Sequence, residues 1–484
     1  MYSLEGPCKI AIEALQKQID LHFKEINKLR STQNFHIPVS RLPAELLSEV
    51  FLYIVETGLQ DGDLGFAWGT FGFRRVCRRW NEVAVGFPQL WVWWASGAFS
   101  AWHLFNVRSK GVPLSLTWRR WYDLDFDDRD IDGDDTLADP TIPGRIRTLD
   151  CTGTTDDLEH LLGAFDSSHS SNASSIRLHI APYDEHGPRK HTATFLSLSS
   201  PKLSRLDLKN SLPAFSSPIF TTSNLVSLKL GIPESDTSRY TRSQFSKILQ
   251  CHQNLQELHL WQGGMPLVEP PEPSVPIVLP RLIDLQLYGT EAIIAGFVDL
   301  VSMSSPLHNF LIDFGSVSTP ALAGAVQKIL VLYYECQGLD YPHTAGHLTV
   351  SLDSGKKSLV FNAGSPSASA SHPTSNLELR FGGVDNALAG EICLLFPLDH
   401  VLEFTAIGLR LARDTFREMV EKMGGLLHLR LDKVDLGPVM GALGVGDPRE
   451  GVHKEAVDTI LNCLHACRRG ARTAYPQPAI VDAQ

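Results

Sequence analysis

The residues best suited to chemistry lie in an acidic stretch, DLDFDDRDIDGDD (123–135). Asp128, Asp130, Asp132 and Gly133 have the spacing of the first half of a calcium loop, where alternate oxygens surround a hard cation and a glycine permits the sharp turn. The second half fails. The twelfth position is Asp139 where a bidentate glutamate belongs, the eighth is Asp135 where an apolar residue belongs, and Pro140 and Pro143 interrupt the helix that should follow. A disordered acidic loop is the expectation. Cys463 and Cys467 stand one helical turn apart with His465 between them, which suits one face of a terminal helix better than a zinc site, because zinc needs further ligands at defined spacing. Gly444-Val445-Gly446 runs into Asp447-Pro448-Arg449, so no phosphate-cradling loop forms. No GxSxG, HExxH or Walker sequence occurs. The chain is therefore read as non-enzymatic, with no catalytic residues, no metal and no cofactor.

Composition narrows the partners. The 484 residues carry a formal net charge of −11, which disfavours nucleic acid, since phosphate binding needs a basic face. Arg74, Arg75, Arg78 and Arg79 form the only dense basic run and read as a solvated helix face. Eight cysteines are scattered without a CxxC, and no signal peptide is evident. Free thiols in a reducing compartment, cytoplasm and/or nucleus, are expected. No apolar run is long enough to span a membrane.

The elements that would position a binding surface begin at Pro38. Pro43 suits the first turn of a helix, and Leu46, Leu47, Val50, Phe51 and Ile54 recur at helical intervals behind it. Phe73, Val76, Cys77, Trp80, Val83 and Ala84 repeat that spacing, and a short apolar segment runs from Phe87 to Trp94. Leu42-Pro43 followed by Glu45-Leu46-Leu47 and Val50-Phe51, then Val76-Cys77-Arg78-Arg79-Trp80 and Pro88-Gln89-Leu90-Trp91, resembles an F-box. The segment Thr57–Gly72 between these blocks is longer and richer in glycine than that family's usual spacing. The resemblance implies a Skp-type adaptor as partner and, through it, a cullin. Leu42, Pro43, Leu46, Leu47, Val50, Phe51, Val76 and Trp80 are the implied adaptor-binding residues.

Upstream, residues 9–30 predict an amphipathic helix with Ile12, Leu15, Ile19, Ile26 and Leu29 on a and d positions of a heptad, His22 interrupting one d. It can pair with a copy of itself or lie against the F-box. Downstream, helical spacing persists through Val107, VPLSLTW (112–118) reads as a strand, and from Ile146 a pattern LxxLxL recurs. Leu203-Leu206-Leu208, Leu225-Leu228-Leu230, Leu255-Leu258-Leu260, Leu282-Leu285-Leu287 and Leu307-Phe310-Ile312 start 22, 30, 27 and 25 residues apart. Ile146-Leu149-Cys151 precedes them and Leu426-Leu429-Leu431 follows. Helices are predicted at 244–252, 291–302, 411–423 and 453–468, and strands at 347–352, 359–361, 377–381 and 401–404. Pro266–Pro280 and Gly364–Ser375 read as surface insertions. A strand and a helix cannot bury their leucines alone, but stacked units bury them together.

The pattern is similar to degenerate leucine-rich repeats, and F-box followed by such repeats is similar to a large class of fungal F-box proteins. The expected fold is α/β: an N-terminal helical F-box followed by an irregular leucine-rich-repeat solenoid. The expected division is an N-terminal amphipathic or coiled-coil helix (1–36), the F-box (37–94), a connector with the acidic loop (95–145), the repeats (146–469) and a tail (470–484). The resemblance implies the substrate-recognition subunit of an SCF-type ubiquitin ligase; a non-catalytic repeat scaffold is the alternative. In each repeat the sixth residue after the first leucine should point away from the core: Lys209, Gly231, Trp261, Tyr288 and Asp313. Trp261 and Tyr288, flanked by His259 and Gln286, are the candidate surface for a protein target, since exposed aromatics are typical binding anchors.

Overall fold

A computed structural model describes residues 7–60, 71–95, 102–119, 143–154, 158, 172–180, 200–210, 215–221, 224–232, 240–262, 276–316, 319–336, 347–353, 358–364, 376–382, 384, 386–396, 398–423, 426, 428–432 and 434. The fold is mixed α/β, with helices at the N-terminus and a large, mostly parallel sheet. Two compact units divide the chain, Met1–Gly153 with His160–Ala173 and Thr154–Glu159 with Ser174–Gln484. The acidic loop 123–135, the predicted helix 453–468, Cys463, Cys467 and the glycines near 444 lie outside the described residues.

The first unit opens with helix α1 (Pro7–His36) and a single 3₁₀ turn (Pro38–Arg41). Helix α2 (Ala44–Gln60) begins beside Pro43, as the proline predicts. Its buried stripe is narrower than the spacing suggests. Leu47, Phe51 and Val55 face inward, whereas Leu46 is 54% and Val50 40% exposed. The predicted second helix is also shorter. Phe71–Arg75 is a 3₁₀ turn, Cys77 is extended backbone, and helix α3 runs only from Arg78 to Gly86. Val76 therefore falls between elements and is 52% exposed.

Pro88–Trp91 forms another 3₁₀ turn, then strand β1 (Trp93–Ala95), helix α4 (Trp102–Arg108) and strand β2 (Leu114–Arg119) follow. The helical spacing expected through Val107 is thus broken by a strand. β1, β2 and β3 (Ile146–Gly153) pair in parallel. Leu47, Phe51, Val55, Ala84, Leu90, Trp91 and Phe105 make one core cluster.

The second unit runs through β4 (Ser175–Ile180), β5 (Arg205–Lys209), β6 (Ser227–Ile232), β7 (Glu257–Gln262), β9 (Asp284–Tyr288) and β11 (Asn309–Ser316), each parallel to the one before. β8 (Ile277–Val278) and β10 (Val301–Ser302) form a small parallel pair of their own. Leu206, Leu228, Leu258, Leu285 and Phe310 stand side by side, as do Leu208, Leu230, Leu260, Leu287 and Ile312. All ten are buried, because alternate strand residues share a face and that face is the core.

Helices occupy the connections: α5 (Pro218–Thr221), α6 (Arg242–Cys251), α7 (Glu291–Val298), α8 (Thr319–Cys336), α9 (Asn386–Leu394) and α10 (Arg413–Lys422). Phe310 of β11 meets Tyr333 of α8 at 6.1 Å between ring centroids, and Phe245 of α6 meets Phe297 of α7 at 6.1 Å. The helix predicted over 291–302 stops at Val298, because Val301–Ser302 is drawn into the pair with Ile277–Val278.

The simple order then breaks. β12 (His347–Asp353), β13 (Ser358–Gly364) and β14 (Asn376–Gly382) fold back so that β14 lies beside β11 and β12 beside β15 (Glu403–Ile407). β13 is antiparallel to both its neighbours, and β16 (His428–Asp432) continues the sheet in parallel.

Candidate functional site

Two surfaces carry the residues singled out by sequence, one in each unit. In the first, helix α2 packs on α3 through Phe51 and Trp80, whose rings lie 5.3 Å apart. The Trp91 indole N–H donates to the Ala84 carbonyl at 2.8 Å, closing the 3₁₀ turn onto the end of α3. Arg79 donates to the Leu42 carbonyl, so the start of α2 is held from the second block. The arginine run is not uniformly a solvated face. Arg75 and Arg78 are exposed, Arg78 pairing with Glu82 at 2.8 Å. Arg74 donates to Asn81 at 3.1 Å and stands over the Trp91 ring at 5.3 Å, where Arg108 also stands at 4.4 Å. Burial, then the neighbouring Arg108 charge, lower the Arg74 pKa from its usual value.

The eight residues of the adaptor expectation fall into two groups. Leu47 and Phe51 are wholly enclosed in the core, and Leu42 and Trp80 are half-buried. Pro43, Leu46, Val50 and Val76 are exposed. Tyr53 joins them at 71% exposed; it stands three residues after Val50 and seven after Leu46, on the same side of the helix, so helical spacing reaches it. A groove beside them is lined by Ala44, Glu45, Ser48, Glu49, Val83, Gly86 and Phe87.

In the second unit the face opposite the leucines is a polar lattice of three rows. Arg205, Ser227, Glu257, Asp284 and Asn309 are neighbours across five strands, then Asp207, Lys229, His259, Gln286 and Leu311, then Lys209, Gly231, Trp261, Tyr288 and Asp313. The third row contains the five residues the repeat count selects. Trp261 and Tyr288 stack with centroids 5.4 Å apart and planes 13° from parallel. Trp261 also lies over Gly231, where an added Cβ would come within 3.3 Å of the indole. This explains why both aromatics are half-buried, although they sit on the outer face.

His259 Nε2 lies 3.1 Å from Asp284 Oδ2, and the His259 ring meets Trp261 edge-on at 6.0 Å. Tyr288 donates to Gln286 at 3.2 Å, and Gln286 and Asn309 donate to Asp284 at 3.2 and 2.9 Å. The lattice thus brings together all four candidate target residues. Sequence counting missed Asp284, Asn309, Glu378 and Arg380, which extend it; Arg380 bonds Glu378 at 2.7 Å and is the cross-strand neighbour of Asp313. Asp284, Glu378 and Arg380 alternate with leucines in DLQLY and NLELRF, and Asn309 precedes Phe310 in NFLIDF, but which of them meet depends on strand register.

Burial raises the Tyr288 pKa; Arg380 opposes this, and Asp313, Asp284 and Glu378 add to it. The phenol therefore stays neutral and donates. Among the described residues no group of acidic, histidine or cysteine side chains is arranged to hold a metal ion, and no described helix is long and apolar enough to cross a membrane. The described cysteines Cys77, Cys151, Cys251, Cys336 and Cys393 are free thiols. The sequence matches no protein-family model and no curated protein.

Proposed function

We propose that this chain is the substrate-recognition subunit of an SCF-type cullin ubiquitin ligase, acting in cytoplasm or nucleus. In this reading residues 37–94 are an F-box that binds a Skp-type adaptor, and the sheet domain is a degenerate leucine-rich-repeat array that holds a protein target. The observation that carries the reading is the first surface. A closed helical core leaves Pro43, Leu46, Val50 and Val76 exposed together with the word-like blocks that resemble an F-box. Apolar residues left outside a completed core favour a partner rather than internal packing. The repeat part is supported by the in-register leucine ladder from β5 to β11; the reversed strand β13 is where it departs from a regular array. Such a receptor makes and breaks no bond. It raises the concentration of its target near the ubiquitin-carrying enzyme.

The test uses exposed residues, so that folding and binding separate. Leu46→Ala with Val50→Ala should weaken capture of a purified Skp-type adaptor by at least ~2 kcal/mol, about thirtyfold, if these side chains are interface anchors, with the melting temperature unchanged. Trp261→Ala with Tyr288→Ala should keep adaptor capture and lose proximity-labelled targets in cells. Adaptor affinity that is absent in the parent chain, or indifferent to the first pair, sinks the ligase reading and leaves a repeat scaffold.

A further inference from the structure

Helix α1 is 30 residues long, about 45 Å at 1.5 Å per residue. Every residue from Lys9 to Gln33 is exposed. Ile12 is 65%, Leu15 58%, Ile19 45%, Ile26 44% and Leu29 70% exposed. A helix in water is sustained mainly by burial of an apolar face rather than by propensity, and here that face is uncovered.

The seam itself specifies what covers it. Ile12, Ile19 and Ile26 occupy three successive a positions, and Leu15, His22 and Leu29 the matching d positions. β-branched residues at a with leucine at d is the combination that suits two parallel strands, because each packs its branch correctly into the facing hole only in that geometry. An antiparallel pair would set each isoleucine against a d residue and lose the matched layers. The flanks agree. Glu25 falls at g and Arg30 at the following e, positions that meet across a parallel, in-register pair, so two copies gain two opposite-charge contacts by symmetry. Glu13, Lys17, Asp20, Lys24 and Lys28 fall on the far side, which stays solvated. Phe23, at e beside His22, widens the apolar stripe where the seam is polar.

We propose that α1 from two copies of this chain forms a parallel, in-register, two-stranded coiled coil, so that the protein is a homodimer carrying each of its surfaces twice. His22 at a d position lowers its stability and fixes its register, the role a lone polar core residue plays in such coils. Two linked copies of a surface bind a repeated or dimeric partner with avidity that neither has alone.

The experiment is sedimentation equilibrium of the full chain. At micromolar concentration the expected mass is twice the 53.5 kDa of one chain. Ile19→Asn with Ile26→Asn should weaken association by at least about a hundredfold, since each dimer loses four buried isoleucines, without altering thermal unfolding of the remainder. His22→Leu should tighten it several-fold. Glu25→Arg should weaken it and Arg30→Glu in the same chain should restore it. His22→Cys should cross-link two copies under mild oxidation, at a layer only a parallel in-register pair brings together. A monomer at these concentrations, a dimer indifferent to Ile19 and Ile26, or a dimer that His22→Cys does not cross-link would each overturn the proposal.

Discussion

Asp284 illustrates how single residues hold the outer face of the sheet. Burial alone raises its pKa, but the hydrogen bond and charge of His259 and the hydrogen bonds from Gln286 and Asn309 outweigh that, so the carboxyl ends below its ordinary value. Asp207 is alike: burial raises it, and His179 and Arg177 together bring it lower. A carboxyl with a folded pKa below its unfolded one binds fewer protons folded than unfolded. Its stabilisation is therefore complete above the unfolded value, about 3.9 for aspartate, and is lost as pH falls through the folded value. Asp284→Asn should accordingly be less stable than the parent near neutral pH, with the difference shrinking as pH drops below about 4. Urea midpoints measured from neutral to strongly acid pH would show this, and a difference that does not vary with pH would mean the carboxylate charge is irrelevant to the fold. At this scale Trp261 and Tyr288 were legible, because counting from each leucine places them at one level. The Asp284 network was not, because it needs the register of three strands at once.

At the scale of elements, the ends of helices were less legible than their existence. α6 starts at Arg242, two residues before the predicted start, because Thr241 closes a capping box: it accepts from the Gln244 N–H at 3.2 Å while Gln244 accepts from the Thr241 N–H at 3.0 Å. Thr241→Ala should destabilise the second unit by about 1 kcal/mol, and Thr241→Ser should recover most of it. Equal chemical-denaturation midpoints for parent and alanine variant would show that the cap carries no stability. α8 was missed altogether. Its signal was present: Leu322, Ala325, Val326, Ile329, Leu330 and Tyr333 are buried at helical intervals of three and four, and buried Leu332 and Tyr334 only widen that stripe. The strand Ser175–Ile180 escaped although its IRLHI alternates, because Ala173 stands where its neighbours carry the first leucine of the pattern. Conversely, VPLSLTW and LELRF alternate strictly and were read as the strands they form.

For the molecule as a whole, composition and repeats indicated an N-terminal helical part and a sheet built on leucines, but not where β12, β13 and β14 insert. Strand order depends on contacts across long separations, and nothing in the residues 347–382 marks one strand as reversed. The sheet's interior can be followed through its thiols. Burial raises the Cys151 pKa strongly, with Asp150 adding to it and a backbone hydrogen bond opposing, and burial pushes Cys393 up to about 12. Both are fully enclosed, whereas Cys251 at the end of α6 is exposed. Thiolate is the reactive form, so burial and pKa act in the same direction. In the native protein a maleimide should label Cys251 within minutes and leave Cys151 and Cys393 unmodified. In rising denaturant, peptide-resolved mass spectrometry should find Cys151 becoming reactive only as the first unit unfolds and Cys393 only as the second does. Rapid native labelling of Cys393 would contradict the burial of α9 beside α10, and rapid labelling of Cys151 would contradict the enclosure of β3.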